Sequence, residues 1–138
     1  MQKNSPLHVL VIPTWYPNGE DKLIGVYHKL FCTALAEYGV KTNMLYADRQ
    51  GLSSLPKYPT MQKLYEESNT GYVTYCRRML DISKFSADAQ LSAYCRTVEK
   101  LYKAYVKQHG KPDILHAHVT VPAGYAAAKL GEKYHIPV

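Results

Sequence analysis

The 138-residue chain is poor in phenylalanine, tryptophan and cysteine, and it contains no long uninterrupted apolar run. A membrane-spanning helix needs about 20 consecutive, mostly apolar residues, so the sequence predicts no such span. The apolar stretch near the N-terminus is too short for a secretory signal and continues directly into periodic structure. We therefore expect a cytoplasmic protein.

The cysteines give no sign of a metal site. Cys32, Cys76 and Cys95 form neither a CxxC pair nor a cysteine–histidine spacing typical of bound zinc. An odd and widely spaced set of cysteines is typical of free thiols that pack as small apolar side chains. We therefore predict buried free cysteines.

The signatures of several enzyme classes are also missing. The chain has no Walker sequence, no GxGxxG motif and no outstanding pair of carboxylates for glycoside hydrolysis. Ser53 and Ser54 lack the flanking glycines of a nucleophile elbow. These absences remove the commonest sequence arguments for a nucleotide hydrolase, a dinucleotide-dependent enzyme, a glycosidase or a serine hydrolase.

The net charge is +6 at pH 7, but the basic residues are spread along the chain and form no long block. A solvated basic surface, an anionic membrane surface and a phosphate-bearing ligand are all consistent with this charge. We expect no nucleic acid partner, because no recognised binding motif is present. Tyrosine occurs 13 times, and its half-polar ring suits helix faces, sugar-binding clefts and membrane interfaces alike.

Apolar runs alternate with segments of helical periodicity. Strands are predicted over residues 7–12, 40–46, 71–77 and 113–117, with a shorter one near 61–65, and helices over 26–38, 87–108 and 124–134. This order predicts a single α/β domain over residues 1–138, with a three-layer, Rossmann-like, doubly wound and mainly parallel sheet. Residues 79–86 are expected to be a linker, and residues 136–138 to begin another strand.

The first predicted helix carries apolar side chains at helical spacing. Its expected buried face consists of Tyr27, Leu30, Phe31, Ala34, Leu35 and Tyr38. Gly39 is placed to end this helix, because glycine accepts the left-handed backbone conformation of a helix C-terminus.

Ligands of such sheets bind at the carboxyl ends of the strands, where the sequence places two loops. The first, residues 14–25, is long for a strand-to-helix connection. Trp15 and Tyr16 offer flat faces for stacking on a sugar ring, or they anchor the loop itself. Gly25 precedes a helix whose backbone N–H groups can hold a phosphate, or it is simply a helix-entry glycine.

The second loop, residues 116–122, follows the DILHA strand and begins with two histidines. We expect their side chains to point to opposite faces, with His116 packed in the sheet layer and His118 reaching the cleft. This divergence disfavours a metal shared by the two. A histidine in a cleft donates to a hydroxyl or carbonyl group, or transfers a proton.

Two segments carry a family resemblance. Residues 13–40, PTWYPNGEDKLIGVYHKLFCTALAEYGV, are similar to a bacterial pattern of a WYP loop, Gly-aromatic and a helix ending in Tyr-Gly-Val. Residues 112–138, PDILHAHVTVPAGYAAAKLGEKYHIPV, are similar to a pattern of a His-Ala-His strand, a small-residue helix and an Ile-Pro-Val strand start. Over residues 7–138, and least between 48 and 86, the chain resembles the N-terminal domain of retaining family 4 glycosyltransferases of the GT-B fold.

The resemblance implies half of a two-domain enzyme, whose missing C-terminal domain would hold a nucleotide-sugar and make this fragment inactive alone. His118 matches a histidine that contacts the transferred sugar, and Gly25 matches a position near the donor diphosphate. Many relatives have two adjacent glycines there, whereas this chain has Ile24 before Gly25. Trp15, Tyr16 and Pro17 fall in an acceptor-side loop. No metal or other cofactor is implied.

The leading hypothesis is therefore the acceptor-binding half of a hexosyltransferase for cell-envelope polysaccharide. The expected partners are its own C-terminal domain, a glycan or lipid-linked acceptor and an anionic membrane surface, which would make the cytoplasmic protein membrane-peripheral. The alternative is a free-standing, non-catalytic Rossmann-like binding module. A weaker third hypothesis is a peripheral membrane-binding domain.

Overall fold

A computed structural model describes residues 5–17, 21–57 and 64–138 of the chain. The predicted short strand near 61–65 lies partly outside these residues. Within the described ranges, no helix is both long enough and apolar enough to cross a membrane.

Strands and helices follow one another much as the sequence pattern predicts. The elements are β1 His8–Ile12, α1 Val26–Glu37, β2 Lys41–Gln50, β3 Leu64–Ser68, β4 Val73–Leu80, α2 Ala87–His109, β5 Ile114–Ala117 and α3 Tyr125–Tyr134. A single 3₁₀ turn covers Leu52–Ser54, and an irregular turn, Thr120–Gly124, leads into α3. The α/β class is therefore confirmed.

The five strands form one sheet in the order β3-β4-β2-β1-β5. The β1–β2, β1–β5 and β2–β4 pairs are parallel, and only β3 is antiparallel to its neighbour β4. The mainly parallel sheet is thus confirmed. Because β1 is next to β5, the loops that follow these two strands begin side by side at the carboxyl edge.

Alternate residues of β1 enter two different apolar clusters, as expected for a strand buried on both sides. Leu10 and Ile12 pack with residues of α2 and α3, while Val9 and Val11 pack with Cys32 of α1. All four strand residues are at least nine-tenths buried. The site at the end of β1 therefore stands on a closely packed strand.

The predicted buried face of α1 is wrong in large part. Tyr27, Leu30 and Tyr38 are 47%, 66% and 88% exposed, whereas His28 and Cys32 are fully buried. The apolar periodicity predicted a wide buried face, but α1 packs on the sheet along a narrower face that contains His28 and Cys32. The expected helix end is confirmed, since Gly39 has a φ of 79° just after α1.

Two other boundaries also differ from the predictions. β2 continues to Gln50 and β4 to Leu80, so residues 79 and 80 of the expected linker belong to the sheet. Residues 136–138 form no strand. The carbonyl oxygen of Pro137 nevertheless accepts a hydrogen bond from the backbone N–H of Leu115 at 2.9 Å, so this segment lies along the outer edge of β5.

Candidate functional site

The two predicted loops meet at the carboxyl edge of the sheet. Ile12 at the end of β1 is in register with Ala117 at the end of β5. The backbone N–H of His118 then donates to the Ile12 carbonyl oxygen at 3.1 Å. The Thr14 hydroxyl donates to the His118 carbonyl oxygen at 3.2 Å and fastens the first loop to the second.

Gly25 is buried at the N-terminus of α1 and touches the first loop. Its φ of 65° lies in the left-handed region, and a Cβ atom there would lie 2.7 Å from the Trp15 carbonyl oxygen. Only glycine fits both the backbone conformation and this close approach. The position thus has a structural reason for glycine, and phosphate binding by Gly25 stays a prediction.

The turn before α1 already holds a carboxylate. The Asp21 carboxylate accepts hydrogen bonds from the backbone N–H groups of Leu23 and Ile24, at 2.9 and 3.1 Å. These contacts use donors that a bound phosphate would otherwise meet. Any phosphate at Gly25 would therefore have to approach from the side away from Asp21, or displace its carboxylate.

The expectation that His116 and His118 diverge is wrong. Their ring centroids are 4.6 Å apart, and both rings contact Phe31 of α1, at 5.0 and 5.4 Å between centroids. The physical reason is simple, because residues two apart along a strand point to the same face. Both imidazoles are partly buried on the side of the sheet that carries α1.

A third histidine, His28, completes this cluster and was missed by the sequence analysis. Its ring lies 4.4 Å from that of His118 and 3.9 Å from that of Tyr27 between centroids. His28 is fully buried, and among the described residues neither of its ring nitrogens has a hydrogen-bond partner. The Nε2 atom of His118 likewise has none.

Within the histidine cluster, formed by His28, His116 and His118, the surroundings of His28 and of His118 favour the neutral imidazole. Burial, followed by the nearby rings of His118 and His116, lowers the pKa of His28 to about 4. Burial and the neighbouring His116 also lower the pKa of His118. At neutral pH, His118 is therefore suited to hydrogen bonding as a neutral donor or acceptor rather than to presenting a positive charge.

The side chain of Tyr16, a residue of the first loop, is buried, whereas its neighbours Trp15 and Pro17 are more accessible. It is 2% exposed, and its hydroxyl donates to Glu67 Oε1 at 3.0 Å. Lys29 donates to the same carboxylate oxygen at 2.9 Å and lies 4.8 Å from the centre of the Tyr16 ring. Burial raises the pKa of Tyr16, so its hydroxyl stays protonated. This contact network ties the first loop to β3.

Trp15 and Pro17 are the accessible members of the predicted acceptor group. Trp15 is 41% exposed and Pro17 is half-buried. A ligand at the loop surface would meet these two side chains before it met Tyr16. An acceptor role for all three residues stays a prediction, and for Tyr16 the structure adds a role in holding the loop in place.

A recess of about 210 Å³ lies at the same edge of the sheet, on the side that carries α2. The end of β2, the start of α2 and the loop after β5 form its walls, through Arg49, Gln90 and Pro122 among others. The recess could not be predicted from the sequence, since its polar residues are widely separated along the chain. The second loop, residues 116–122, therefore carries His116 and His118 of the histidine cluster on the α1 side of the sheet and borders this recess on the α2 side.

Within the described residues, no group of three or more histidine, cysteine, aspartate or glutamate side chains is arranged to hold a metal ion. Cys32 and Cys76 are buried and Cys95 is half-buried, and all three are free thiols. The prediction of free cysteines is thus confirmed, with Cys95 only partly buried.

The fold and the site define an α/β protein whose candidate binding edge is formed by the loops after β1 and β5. Comparison with protein families finds no family model that matches the chain. Comparison with curated proteins finds no match either.

Proposed function

We propose that this chain is the acceptor-binding domain of a retaining glycosyltransferase that resembles family 4 members of the GT-B class. In this proposal the sheet is the doubly wound, three-layer, Rossmann-like sheet of such a domain. Alternate residues of β1 belong to two different apolar clusters, so the strand is packed on both faces, and this supports the three-layer arrangement. A second domain, outside this chain, supplies the nucleotide-sugar site.

The observation that carries the proposal is the joining of the two resemblance segments at one edge of the sheet. His118 donates to Ile12, Thr14 donates to His118, and Gly25 packs against Trp15. Residues up to about 100 positions apart in the sequence thus form one continuous surface. The carboxyl edge of a parallel sheet is where ligands of such folds bind.

Each residue of this surface has a proposed part. The neutral imidazole of His118 hydrogen-bonds a hydroxyl of the transferred sugar and positions it. Gly25 allows the start of α1 to approach the donor diphosphate, and Trp15 and Pro17 form the acceptor side of the first loop. The reaction moves a glycosyl unit from the nucleotide to an acceptor hydroxyl with retained anomeric configuration, and it needs no metal.

The proposal is tested with the protein encoded by the complete reading frame, assayed with a panel of nucleotide-sugars and glycan or lipid-linked acceptors. We expect transfer, and we expect His118→Ala to lower kcat/KM by about 100-fold or more, the order found when one key hydrogen-bonding group is lost. His135→Ala, an exposed histidine beyond α3, is the matched control and should leave kcat/KM nearly unchanged. Wild-type turnover by His118→Ala would exclude the role assigned to His118.

An outcome without transfer is also informative. Saturable binding of a sugar or glycan without turnover of any nucleotide-sugar would favour the non-catalytic binding module instead. Retention of anomeric configuration is read from the product by NMR. An inverted product would contradict the retaining class while leaving a transferase in place.

A further inference from the structure

The recess beside α2 is lined by one basic side chain and by neutral polar and apolar side chains. Its basic side chain is Arg49, its other polar side chains include Ser83 and Gln90, and no carboxylate of the described residues lines it. Leu91, Val121 and Pro122 contribute apolar surface to the same walls. A ligand that presents oxygen atoms to the polar side and carbon to the apolar side matches this lining.

Gln90 presents an unused donor there. The side chain is 6% exposed, and its Oε1 atom accepts a hydrogen bond from the backbone N–H of Ile82 at 2.7 Å. This contact fixes the orientation of the amide group. The Nε2 atom is buried and has no hydrogen-bond partner among the described residues. Because a buried amide donor without a partner is unfavourable, a ligand oxygen that met it would gain a hydrogen bond that the fold itself leaves unmade.

The start of α2 adds a second set of donors. α2 is 23 residues long, and its N-cap residue Ser86 accepts the backbone N–H of Ala89 through its hydroxyl at 3.2 Å. The backbone N–H of Gln90 donates to the Ser86 carbonyl oxygen. Neither of these two hydrogen bonds uses the backbone N–H of Ala87, a first-turn residue that lines the recess. The positive end of the helix dipole favours a negative group at this place.

Arg49 supplies the charge. It is half-buried at the end of β2, where its guanidinium group can reach a ligand in the recess. Hydrogen bonds from Ser83, and to a smaller extent the charge of nearby Arg49, lower the pKa of Asp81. The Asp81 carboxylate accepts a hydrogen bond from the Ser83 backbone N–H at 2.9 Å and is not part of the lining. Asp88, in the first turn of α2, is exposed and also outside the lining.

We propose that this recess binds a phosphate group of the acceptor, with Arg49, the Gln90 amide and the Ala87 N–H as its donors. Describing the phosphate as part of the acceptor rests on the proposed function, whereas binding of the phosphate itself does not. The same chemistry is present in a soluble sugar phosphate and in a lipid-linked phosphate. The apolar walls then contact the carbon skeleton next to the phosphate.

The recess is also connected to the sugar-side histidine. The hydroxyl of Tyr94, which lines the recess, donates to the Pro13 carbonyl oxygen at 3.3 Å. The next residue, Thr14, donates to the His118 carbonyl oxygen. In this proposal an acceptor held by its phosphate in the recess extends past Pro13 and Thr14 at the end of β1, so that its hydroxyl reaches the sugar positioned by His118.

The test is an NMR titration of the ¹⁵N-labelled chain with inorganic phosphate and glycerol 3-phosphate, with glycerol as the uncharged counterpart. We expect saturable shifts of the Ala87 backbone amide, the Gln90 side-chain amide and the Arg49 Nε–H, and none of these with glycerol. Arg49→Gln and Gln90→Leu should each weaken phosphate binding by about tenfold, which corresponds to 1.4 kcal/mol. Arg96→Gln, an exposed arginine of α2 outside the recess, is the matched control and should bind like the wild type.

The source of the phosphate is distinguished with vesicles. Sedimentation of the chain with phosphatidic acid vesicles, reduced by Arg49→Gln and not by Arg96→Gln, would identify a lipid-borne phosphate. Binding of glycerol 3-phosphate with no such vesicle binding would identify a soluble one. Shifts confined to Gly25, Val26 and Tyr27, or non-saturating shifts spread over exposed lysines, would overturn the inference.

Failure of this inference is separable from failure of the proposed function. Sugar transfer by the complete protein, without phosphate binding in the recess, would remove the inference and leave the transferase. Saturable phosphate binding in the recess, without sugar transfer, would leave a phosphate-binding domain and remove the transferase.

Discussion

The Tyr94 hydroxyl of α2 donates a hydrogen bond to the Pro13 carbonyl oxygen, 3.3 Å away at the end of β1. Tyr94 is fully buried, so this bond forms away from bulk water. It holds the first residue after β1 against α2, while Thr14 holds the His118 backbone on the β5 side. The recess and the histidine cluster at the carboxyl edge therefore both depend on the same short piece of chain after β1.

Gly25→Ala should destabilise the fold more than the same change at Gly39. The new Cβ would lie 2.7 Å from the Trp15 carbonyl oxygen, in addition to the cost of a left-handed alanine. We expect a loss of about 2–4 kcal/mol in the free energy of unfolding, measured by urea denaturation. Gly39→Ala is the control, because its φ is also positive but nothing lies within 4 Å of its Cβ. Equal losses for the two variants would rule out the proposed steric contact.

His28 should make the protein sensitive to acid. Its pKa is lowered from about 6.5 to about 4, so the unfolded chain binds a proton that the native state excludes. The contribution to stability is complete above pH 6.5 and is lost as the pH falls toward 4, by at most about 3 kcal/mol. The titratable groups facing His28 are His116 and His118 from the β5 side and Tyr27 from α1.

His28→Phe checks this acid sensitivity, because phenylalanine fills the buried space without binding a proton. Urea unfolding at pH 7, 5 and 4 should show a weaker dependence on pH than the wild type, whatever the change in stability at pH 7. His135→Gln, at an exposed position, should keep the wild-type dependence. An unaltered pH dependence in His28→Phe would show that another group is responsible.

Tyr16→Phe should loosen the first loop without removing its apolar packing. The change deletes the hydroxyl that donates to the Glu67 carboxylate and lies 3.2 Å from the Thr74 hydroxyl. Hydrogen bonds to charged groups contribute about 1.5–3 kcal/mol, so we expect a loss near the lower end of that range. Hydrogen exchange should report faster opening of the loop. Tyr38→Phe, at an 88% exposed tyrosine, should change neither measurement.

Glu99→Gln should weaken the contact between α2 and α3. The Glu99 carboxylate accepts hydrogen bonds from Lys133 and Tyr134, both at 2.8 Å. These two contacts, together with one from Lys103, lower the pKa of Glu99 to about 2. This contribution is present above about pH 4.5 and is lost as the pH falls toward 2. Because the group is partly exposed, we expect only about 1 kcal/mol at neutral pH, and less at high salt. Glu132→Gln, at an exposed position, should have no measurable effect in the same urea unfolding experiment.

The sequence pattern predicted the order of elements because strand and helix signals were strong where burial is complete. The apolar run at residues 7–12 became β1, and the periodic segment at 87–108 became α2, in which Tyr94, Val98 and Leu101 are fully buried. The convergence of the first and second loops was also predictable, since it follows from the adjacency of parallel strands.

The rest depended on packing that the pattern does not contain. α1 has two overlapping apolar stripes, and the sequence could not show that the line through His28 and Cys32 would face the sheet. The recess was hidden for another reason: Arg49 and Gln90 lie far apart in the chain and share no motif. The only signal for His28 was its place three residues after Gly25, within the first turn of a helix.

The position of β1 between β2 and β5 has a consequence for synthesis on the ribosome. The backbone N–H of His8 donates to the Asp113 carboxylate, and the Asp113 N–H donates back to the His8 carbonyl oxygen, across 105 residues of chain. One side of β1 thus has no pairing partner until β5, about 105 residues further along the chain, has been made. A nascent chain therefore carries an unpaired apolar edge until β5 has been made, the kind of edge that chaperones cover and that aggregation exploits.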